Sequence, residues 1–564
     1  SEEHRQSDLE CQSEPFDAKN TVGKHKPHQF YLAIEVKGSD TADLSQTARA
    51  AIGRRDWQTL SRAATILLDK EPNAPETLFL AGVLERAKKN HVAARNYFER
   101  ALGLGAERQD IAVELASQLS ILSHHRAAFD VLEPVLGRLK DSPFYSDLAA
   151  TTLIELGLPE LALPLAQRAS FLQPTVDIFS ANLASCYGYV GQPQRAAEIY
   201  QALLAARPEN RRNHYFLSRV RRATDDKHLQ QMNAVLKSDP APDQRNIFLF
   251  FAQGKELEDL GQWDDAFAAY QRGCAAVKKM IPDGLPMELD KLRRIASASA
   301  GGMGSASDYP VRGRPIFIVG LPRTGSTLTE RILSSHSDVV SLGETRYFEQ
   351  AIQATFGSIH AAIEQIPSCS RDKLDSVASY FRREASYRLG DGRFFIDKLP
   401  LNFIFVPHIA RVFPEALFVY TRRQPEAVCF AMFKQLFTGE YLYSYDLADL
   451  GTYYCEHEHF RAQFANDLTE RWIEVSYEKM VSMPESEIPL LLKKLGLPMA
   501  EACLTPQKNR GASMTASSIQ VRQPIHQSAV AGWRHFEAHL GPLMFALHKN
   551  GFSANDLRVE ESNE

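Results

Sequence analysis

The sequence predicts a multidomain chain, an all-α array of helix hairpins followed by an α/β domain with a central parallel sheet. Three observations carry this. Small residues recur every 34 positions through the first half. The stretch "SASAGGMGSASDYP" breaks the helical pattern near residue 300. Directly after it, "PIFIVGLPRTGSTLTERIL" (Pro315–Leu333) reads as a buried strand, a tight turn and a helix. The expected boundaries are a polar, flexible extension over 1–43, a helical repeat domain over 44–298, a linker over 299–313, an α/β domain over 314–555 and an acidic tail over 556–564.

For the repeats, "HVAARNYFERAL", "HRAAFDVLEPVL", "LALPLAQRASFL" and "QRAAEIYQALLA" align so that Ala94, Ala128, Ala162 and Ala196 fall 34 apart. Gly157 and Gly191 share that spacing, as do Pro174 and Pro208, and Pro72 lies three periods before Pro174. This is the period of tetratricopeptide repeats, each a pair of antiparallel helices. Small residues let the paired helices approach. Glycine ends the first helix, and proline restarts the chain after the second. One pair cannot bury its apolar face alone, so pairs stack into a solenoid. The inner surface of such a solenoid commonly binds peptides or a second subunit, an inference from fold alone. The register falters between about Arg222 and Gln244, and one more hairpin, "KELEDLGQWDDAFAAYQRGCAAV", follows.

The linker is predicted from its small, flexible residues. Beyond it, "PIFIVG" is a continuous apolar run, as expected of a strand covered on both faces of a parallel sheet. The turn Leu321–Thr324 then gathers backbone N–H groups at the start of a helix, where the dipole also favours an anion. Gly320 and Gly325 have the spacing of a nucleoside-triphosphate loop, but Ser326 stands where that loop has lysine. Arg323 supplies the charge instead. A kinase reading is weakened by the missing lysine and by the lack of an obvious magnesium carboxylate downstream.

Composition bounds the function classes. The 564 residues are 44% apolar and 24% charged, ordinary values for a globular protein, with a net charge of −5 that argues against a nucleic-acid coat. No apolar stretch is long enough to span a membrane. Cys11, Cys186, Cys274, Cys369, Cys429, Cys455 and Cys503 are scattered, odd in number and without a CxxC pair. That argues for a reducing, cytoplasmic setting and against structural zinc or a disulfide framework. The chain opens on Ser1, which leaves open whether a segment was removed, and its first thirty residues do not look like an intact signal peptide.

At this point a resemblance is plain. "GLPRTGSTL" resembles the 5′-phosphosulfate loop of sulfotransferases that use 3′-phosphoadenosine-5′-phosphosulfate (PAPS). "VYTRRQPEAVCFAMFKQLF" resembles their 3′-phosphate motif, and "SSIQVRQPIHQSAVAGW" the late segment that closes over the nucleotide. Bacterial tetratricopeptide-repeat sulfotransferases share the whole arrangement, including "YSYDLADLGTYY" and "FEAHLGPL"; tyrosylprotein sulfotransferases share the catalytic half. The likeness covers roughly residues 45–550, and its three ordered motifs imply a P-loop-like sulfotransferase domain.

The resemblance implies roles. Arg323, Thr324, Gly325, Ser326 and Thr327 would cradle the 5′ phosphosulfate, with Arg323 neutralising the leaving phosphate. Glu344, twenty-one residues beyond Arg323 in "LGETRYF", matches the catalytic base, and Thr345 and Arg346 match the acceptor-side residues after it. A carboxylate set beside bound anions gains proton affinity, which suits a general base. Lys398, closing "RFFIDK", matches the lysine that bridges the sulfuryl group and the leaving oxygen. Arg423 matches the arginine on the 3′ phosphate, and Tyr477 and Ser517 match further nucleotide contacts. Two positions depart from the family: Ala431 stands for a serine, and Gly532, before Trp533, for a lysine or arginine. Lys434, and Arg522 or Arg534, could supply the missing contacts.

PAPS is therefore the expected co-substrate, without a metal. The expected acceptor is a hydroxyl. "GETR" leans toward a protein or peptide tyrosine presented by the repeats, and a lipid, sugar or small phenol stays open. The alternative from another class is a non-catalytic scaffold with a degenerate sulfotransferase domain, motivated by Ala431 and Gly532. Retention of Arg323, Glu344 and Lys398 speaks against it. Neither nucleic acid nor a membrane span is expected, and the oligomeric state is open.

Overall fold

The computed structural model describes residues 40–552, apart from 106, 140, 240, 241, 282, 283, 298–312, 391, 438 and 516. The expected extension (up to residue 39), nearly all of the linker, and the acidic tail lie outside the described residues. The chain divides into two compact units, one of Ser1–Gln118 with Phe437–Tyr441, the other of Leu119–Leu436 with Leu442–Glu564.

Fifteen α-helices precede the first strand among the described residues. First helices of successive pairs start at Pro75, Gln109, Pro143, Asp177 and Arg211, and second helices at Trp57, His91, His125, Pro159, Pro193 and Lys227, each series 34 apart. The period therefore outlasts the sequence signature. A helix, Lys227–Ser238, occupies the stretch where the register was expected to falter. Its signal was lost because Gln230 stands at the place of Ala94, Ala128, Ala162 and Ala196, all fully buried. The next pair, Ile247–Asp259 and Trp263–Lys278, starts two residues late.

The turn inside six of the hairpins is left-handed. Gly157, Gly191 and Gly261 take positive φ there, and Arg55, Lys89 and Ser123 hold the same place in other repeats with φ of 55°, 62° and 64°. A side chain pays a small strain at such a position. Gly157 and Gly191 also need the space: a Cβ would sit 2.4 Å from the guanidiniums of Arg388 and Arg522.

In the first unit, Gly82 lets the Phe98 ring lie where a Cβ would stand, 2.5 Å from its edge. Arg86 pairs with the buried Glu114 at 3.1 Å. In the second unit the same exchange recurs, with Tyr270 against Gly254.

The second unit contains a five-stranded sheet, all parallel: β1 (Arg314–Gly320), β2 (Val339–Ser341), β3 (Phe394–Lys398), β4 (Leu417–Arg422) and β5 (Trp472–Ser476), in the order β2-β3-β1-β4-β5. β1 is central, and Ile316, Phe317, Ile318 and Val319 are fully buried. Side chains alternate between faces. Ile316 and Ile318 join an aliphatic cluster with Ile332, Ile396, Val419 and Ile473. Phe317 faces an aromatic layer of Phe381, Phe413 and Phe418, at ring distances of 5.9–6.1 Å. Along β3 this parity sends Lys398 to the aliphatic side, under the helix Ser326–Leu333, and Asp397 to the other.

Repeat helices of the second unit pack on the α/β part. The Tyr387 hydroxyl donates to the carbonyl of Leu156 at 2.7 Å. The Phe129 and Tyr387 rings stack at 5.1 Å, and those of Trp263 and His535 at 4.2 Å. Among the described residues no helix is long and apolar enough to cross a membrane.

Candidate active site

In open parallel sheets, ligands sit outside the carboxyl ends of the strands, where connections diverge to either side. The sequence-predicted residues gather there, each just beyond its strand: Arg323 after β1, Glu344 after β2, Lys398 at the last position of β3, Arg423 after β4 and Tyr477 after β5. Register fixes their alignment, with Ile318 opposite Lys398 and Gly320 opposite Thr421.

The corner after β1 is built on backbone geometry. Gly320 has φ 137°, and a Cβ there would lie 2.6 Å from the carbonyl oxygen of Thr421. Arg323 takes φ 69° although it is not glycine, and Gly325 has φ 92° with no room for a Cβ, which would meet the Tyr477 ring at 2.6 Å. A strained non-glycine corner is a common mark of a functional site. The buried Thr324 hydroxyl donates to the Leu321 carbonyl at 2.7 Å and shares a hydrogen bond of 2.7 Å with Thr421. Ser326 and Thr327 open the helix Ser326–Leu333, whose first N–H groups have no partner within it.

Around this corner the cations meet neutral oxygens. Arg323 Nη1 donates to Ser517 Oγ, and Nη2 to Gln520 Oε1 at 3.3 Å. Arg423 donates to the carbonyls of Arg323, at 3.1 Å, and of Ala529, and lies 4.7 Å over the Tyr477 ring. Its buried Nε has no acceptor. Among the described residues neither arginine has a carboxylate at ion-pair distance. Burial, with Arg219 and Arg423 nearby, pushes the Arg323 guanidinium down to about 10. Burial likewise lowers Arg423. Two destabilised cations, one with an orphaned donor, suit a bound polyanion.

The other half is a buried cation among acids. Lys398 is fully buried and pairs with Glu344 Oε1 and, at 3.5 Å, with Glu330 Oε2. Burial works against its charge, but the two carboxylates outweigh it, and its pKa is raised. Glu344 keeps 43% of its side chain exposed, so it can meet an incoming group.

Thr345, expected on the acceptor side, is buried and donates to Asp397 Oδ2 at 2.8 Å, so it anchors the turn that carries Glu344. Asn402 donates to the other oxygen of Asp397 at 3.2 Å. Burial pushes this carboxyl up to about 8, against the Thr345 hydrogen bond. Arg346 is exposed and pairs with Glu349 at 3.3 Å. Lys434 pairs with Glu258 of a repeat helix at 2.6 Å. Arg522 donates to the carbonyls of Tyr189, at 2.9 Å, and Gly511, at 3.2 Å. The last two are engaged by repeat-helix groups far away in sequence, which no local pattern announces. Arg534 lies over the Trp533 ring at 5.7 Å. Residues the sequence reading missed are Glu330, Asp397 and Gln520. Glu330 sits in "TLTERIL", where an acid on a short helix looks like surface charge. Among the described residues no group of three or more His, Cys, Asp or Glu could hold a metal ion.

Residues 315–501 match the model of the Sulfotransferase family. An uncharacterized protein of Aquifex aeolicus is 26% identical over 474 residues, 80% of this chain and 61% of that protein. Protein-tyrosine sulfotransferase 1 of Danio rerio is 25% identical over 233 residues, 39% of this chain and 65% of that protein. The chain thus spans less than two thirds of either relative. Among solved structures, the sulfotransferase domain from the Synechococcus PCC 7002 olefin synthase covers 44% of this chain and 98% of its own, at 18% identity and a TM-score of 0.30. The chain thus sets 34-residue helix pairs in front of a region, residues 315–501, that matches the Sulfotransferase family model.

Proposed function

We propose that this protein is a PAPS-dependent sulfotransferase that moves a sulfuryl group to an acceptor hydroxyl, with Glu344 as general base. The observation that carries this is the pairing of two carboxylate-free arginines with a half-exposed glutamate held by a buried lysine, all beyond the carboxyl ends of one sheet.

Arg323, the N–H groups around Gly325, and the hydroxyls of Ser326 and Thr327 would hold the 5′ end of the nucleotide. Arg423, with its orphaned Nε, would hold the 3′ phosphate, with Tyr477 and Ser517 beside it. The nucleotide supplies the activated sulfuryl group. Glu344 receives the acceptor's proton as the new S–O bond forms and the S–O bond to the nucleotide phosphate breaks. Lys398 and Arg323 balance the charge that develops. Catalysis of this kind is positioning and electrostatics.

The half-exposed Glu344 and the likeness to protein-tyrosine sulfotransferases favour a tyrosine in a peptide, presented by the repeats. The six described cysteines, all free, fit a reducing cytoplasm. The test is sulfuryl transfer from labelled PAPS to tyrosine peptides, and in parallel to phenols, sugars and lipids. Labelled peptide supports the reading, and label in another class moves the acceptor. No nucleotide binding at all would favour the alternative, a non-catalytic scaffold.

A further inference from the structure

Glu330 has no role in the reading above, yet it touches both of its moving parts. It projects from the helix Ser326–Leu333, and 14% of its side chain is exposed. One oxygen, Oε2, lies 3.5 Å from Lys398 Nζ. The other, Oε1, accepts from the Ser341 hydroxyl at 2.6 Å. Ser341 Oγ in turn accepts from the N–H of Gly343, the residue before Glu344, at 3.0 Å. The Gly343 carbonyl accepts from the Lys398 N–H at 3.0 Å. A closed path of hydrogen bonds and one ion pair therefore links Glu330, Lys398 and the turn that carries Glu344.

The charge count gives this path a purpose. At rest, the fully buried Lys398 ammonium has two carboxylates. When Glu344 takes the acceptor's proton it becomes neutral, and one of the two is lost. A buried ammonium without a carboxylate tends to release its proton. Without Glu330, Lys398 would then lose its charge just when negative charge grows on the leaving oxygen.

We propose that Glu330 is a positioning residue that keeps the Lys398 ammonium charged and in place while Glu344 holds the acceptor's proton. The proton leaves the acceptor oxygen for Glu344, Lys398 keeps its own, and Glu330 stays ionised throughout. This rests on the assignment of Glu344 as base. It also explains why an acid sits beside an anion site, where a carboxylate would otherwise hinder binding.

The test is a cycle that needs no acceptor. Glu344→Gln mimics the neutral base. Alone, Glu330→Gln or Glu344→Gln leaves Lys398 one carboxylate, and each lowers Tm modestly. Together they leave none, and the expected Tm loss exceeds the sum of the single losses by at least ~3 °C. Adding Lys398→Met to the double variant recovers most of that excess. Additive losses, or a double variant that fails to fold and is not recovered by Lys398→Met, would overturn the proposal. A second readout is the pH profile of sulfuryl transfer. Glu330→Gln moves its alkaline limb to lower pH, because Lys398 deprotonates sooner, whereas a merely structural defect lowers the whole profile without moving the limb. Glu344→Gln that keeps full turnover would remove the base assignment and leave the Tm cycle to report on Lys398 by itself.

Discussion

Arg323 and Arg423 are met by hydroxyl, amide and carbonyl oxygens, whereas Lys398 is met by two carboxylates. Both halves hold positive charge at the carboxyl edge of one sheet, and they treat it in opposite ways. The arginine half leaves its cations short of counter-charge, with Arg423 Nε unsatisfied and Arg323 pushed down to about 10 by burial and neighbouring arginines. An incoming polyanion would relieve that deficit. The lysine half is already neutralised, so it gains little from an anion at rest. In the proposed reaction its charge would become available only when a proton moves onto Glu344. In that reaction Arg423 serves binding, Lys398 serves the chemistry, and Arg323 serves both.

The comparison breaks most visibly at Glu344. Glu344→Gln should lower turnover about 10²–10⁴-fold while nucleotide affinity stays within a few-fold, by single-turnover kinetics and calorimetry. A parallel loss of affinity would mean the halves are not separate. Next come the arginines. Arg423→Ala should weaken adenosine 3′,5′-bisphosphate binding about 10- to 100-fold, the worth of charge-assisted hydrogen bonds. Arg323→Ala should weaken both affinity and turnover.

A smaller effect concerns Asp397, whose carboxyl is raised from 3.8 to about 8 by burial. The folded state holds its proton where the unfolded state has released it, so stability falls as pH rises from about 4 to about 8. Asp397→Asn should flatten that fall in thermal melts across the same range, with nucleotide affinity little changed. The smallest effect sharpens the arginine half. A side chain at Gly532 would meet nothing within 4 Å of its Cβ, so Gly532→Lys has room. It should tighten the nucleotide a few-fold, and more at low salt than at high.

Much of this was legible in the chain. The apolar run at Ile316–Val319, Lys398 closing "RFFIDK" and the arginines after "LFVYT" mark where strands end, and parallel sheets collect function at those ends. The 34-residue spacing revealed most repeats because close helix packing demands alanine, and it went silent where Gln230 replaced it. What stayed hidden were partnerships made across the fold. Glu330 and Lys398 are 68 positions apart, and only the parity of β3 beneath the helix Ser326–Leu333 brings them together. Nothing near Thr345 in the sequence announces its hydrogen bond to Asp397, which lies 52 positions away on β3. Lys434 and Arg522 read as stand-ins for the missing nucleotide contacts, and their actual partners, Glu258 and the Tyr189 carbonyl, come from the repeats.

The most direct test is calorimetric titration of adenosine 3′,5′-bisphosphate into the intact chain, its Glu344→Gln form and its Arg423→Ala form. Micromolar binding to the first two, at least ten-fold weakened in the third, is the predicted result. No heat at millimolar nucleotide in the intact chain, or equal affinity in all three, would contradict it.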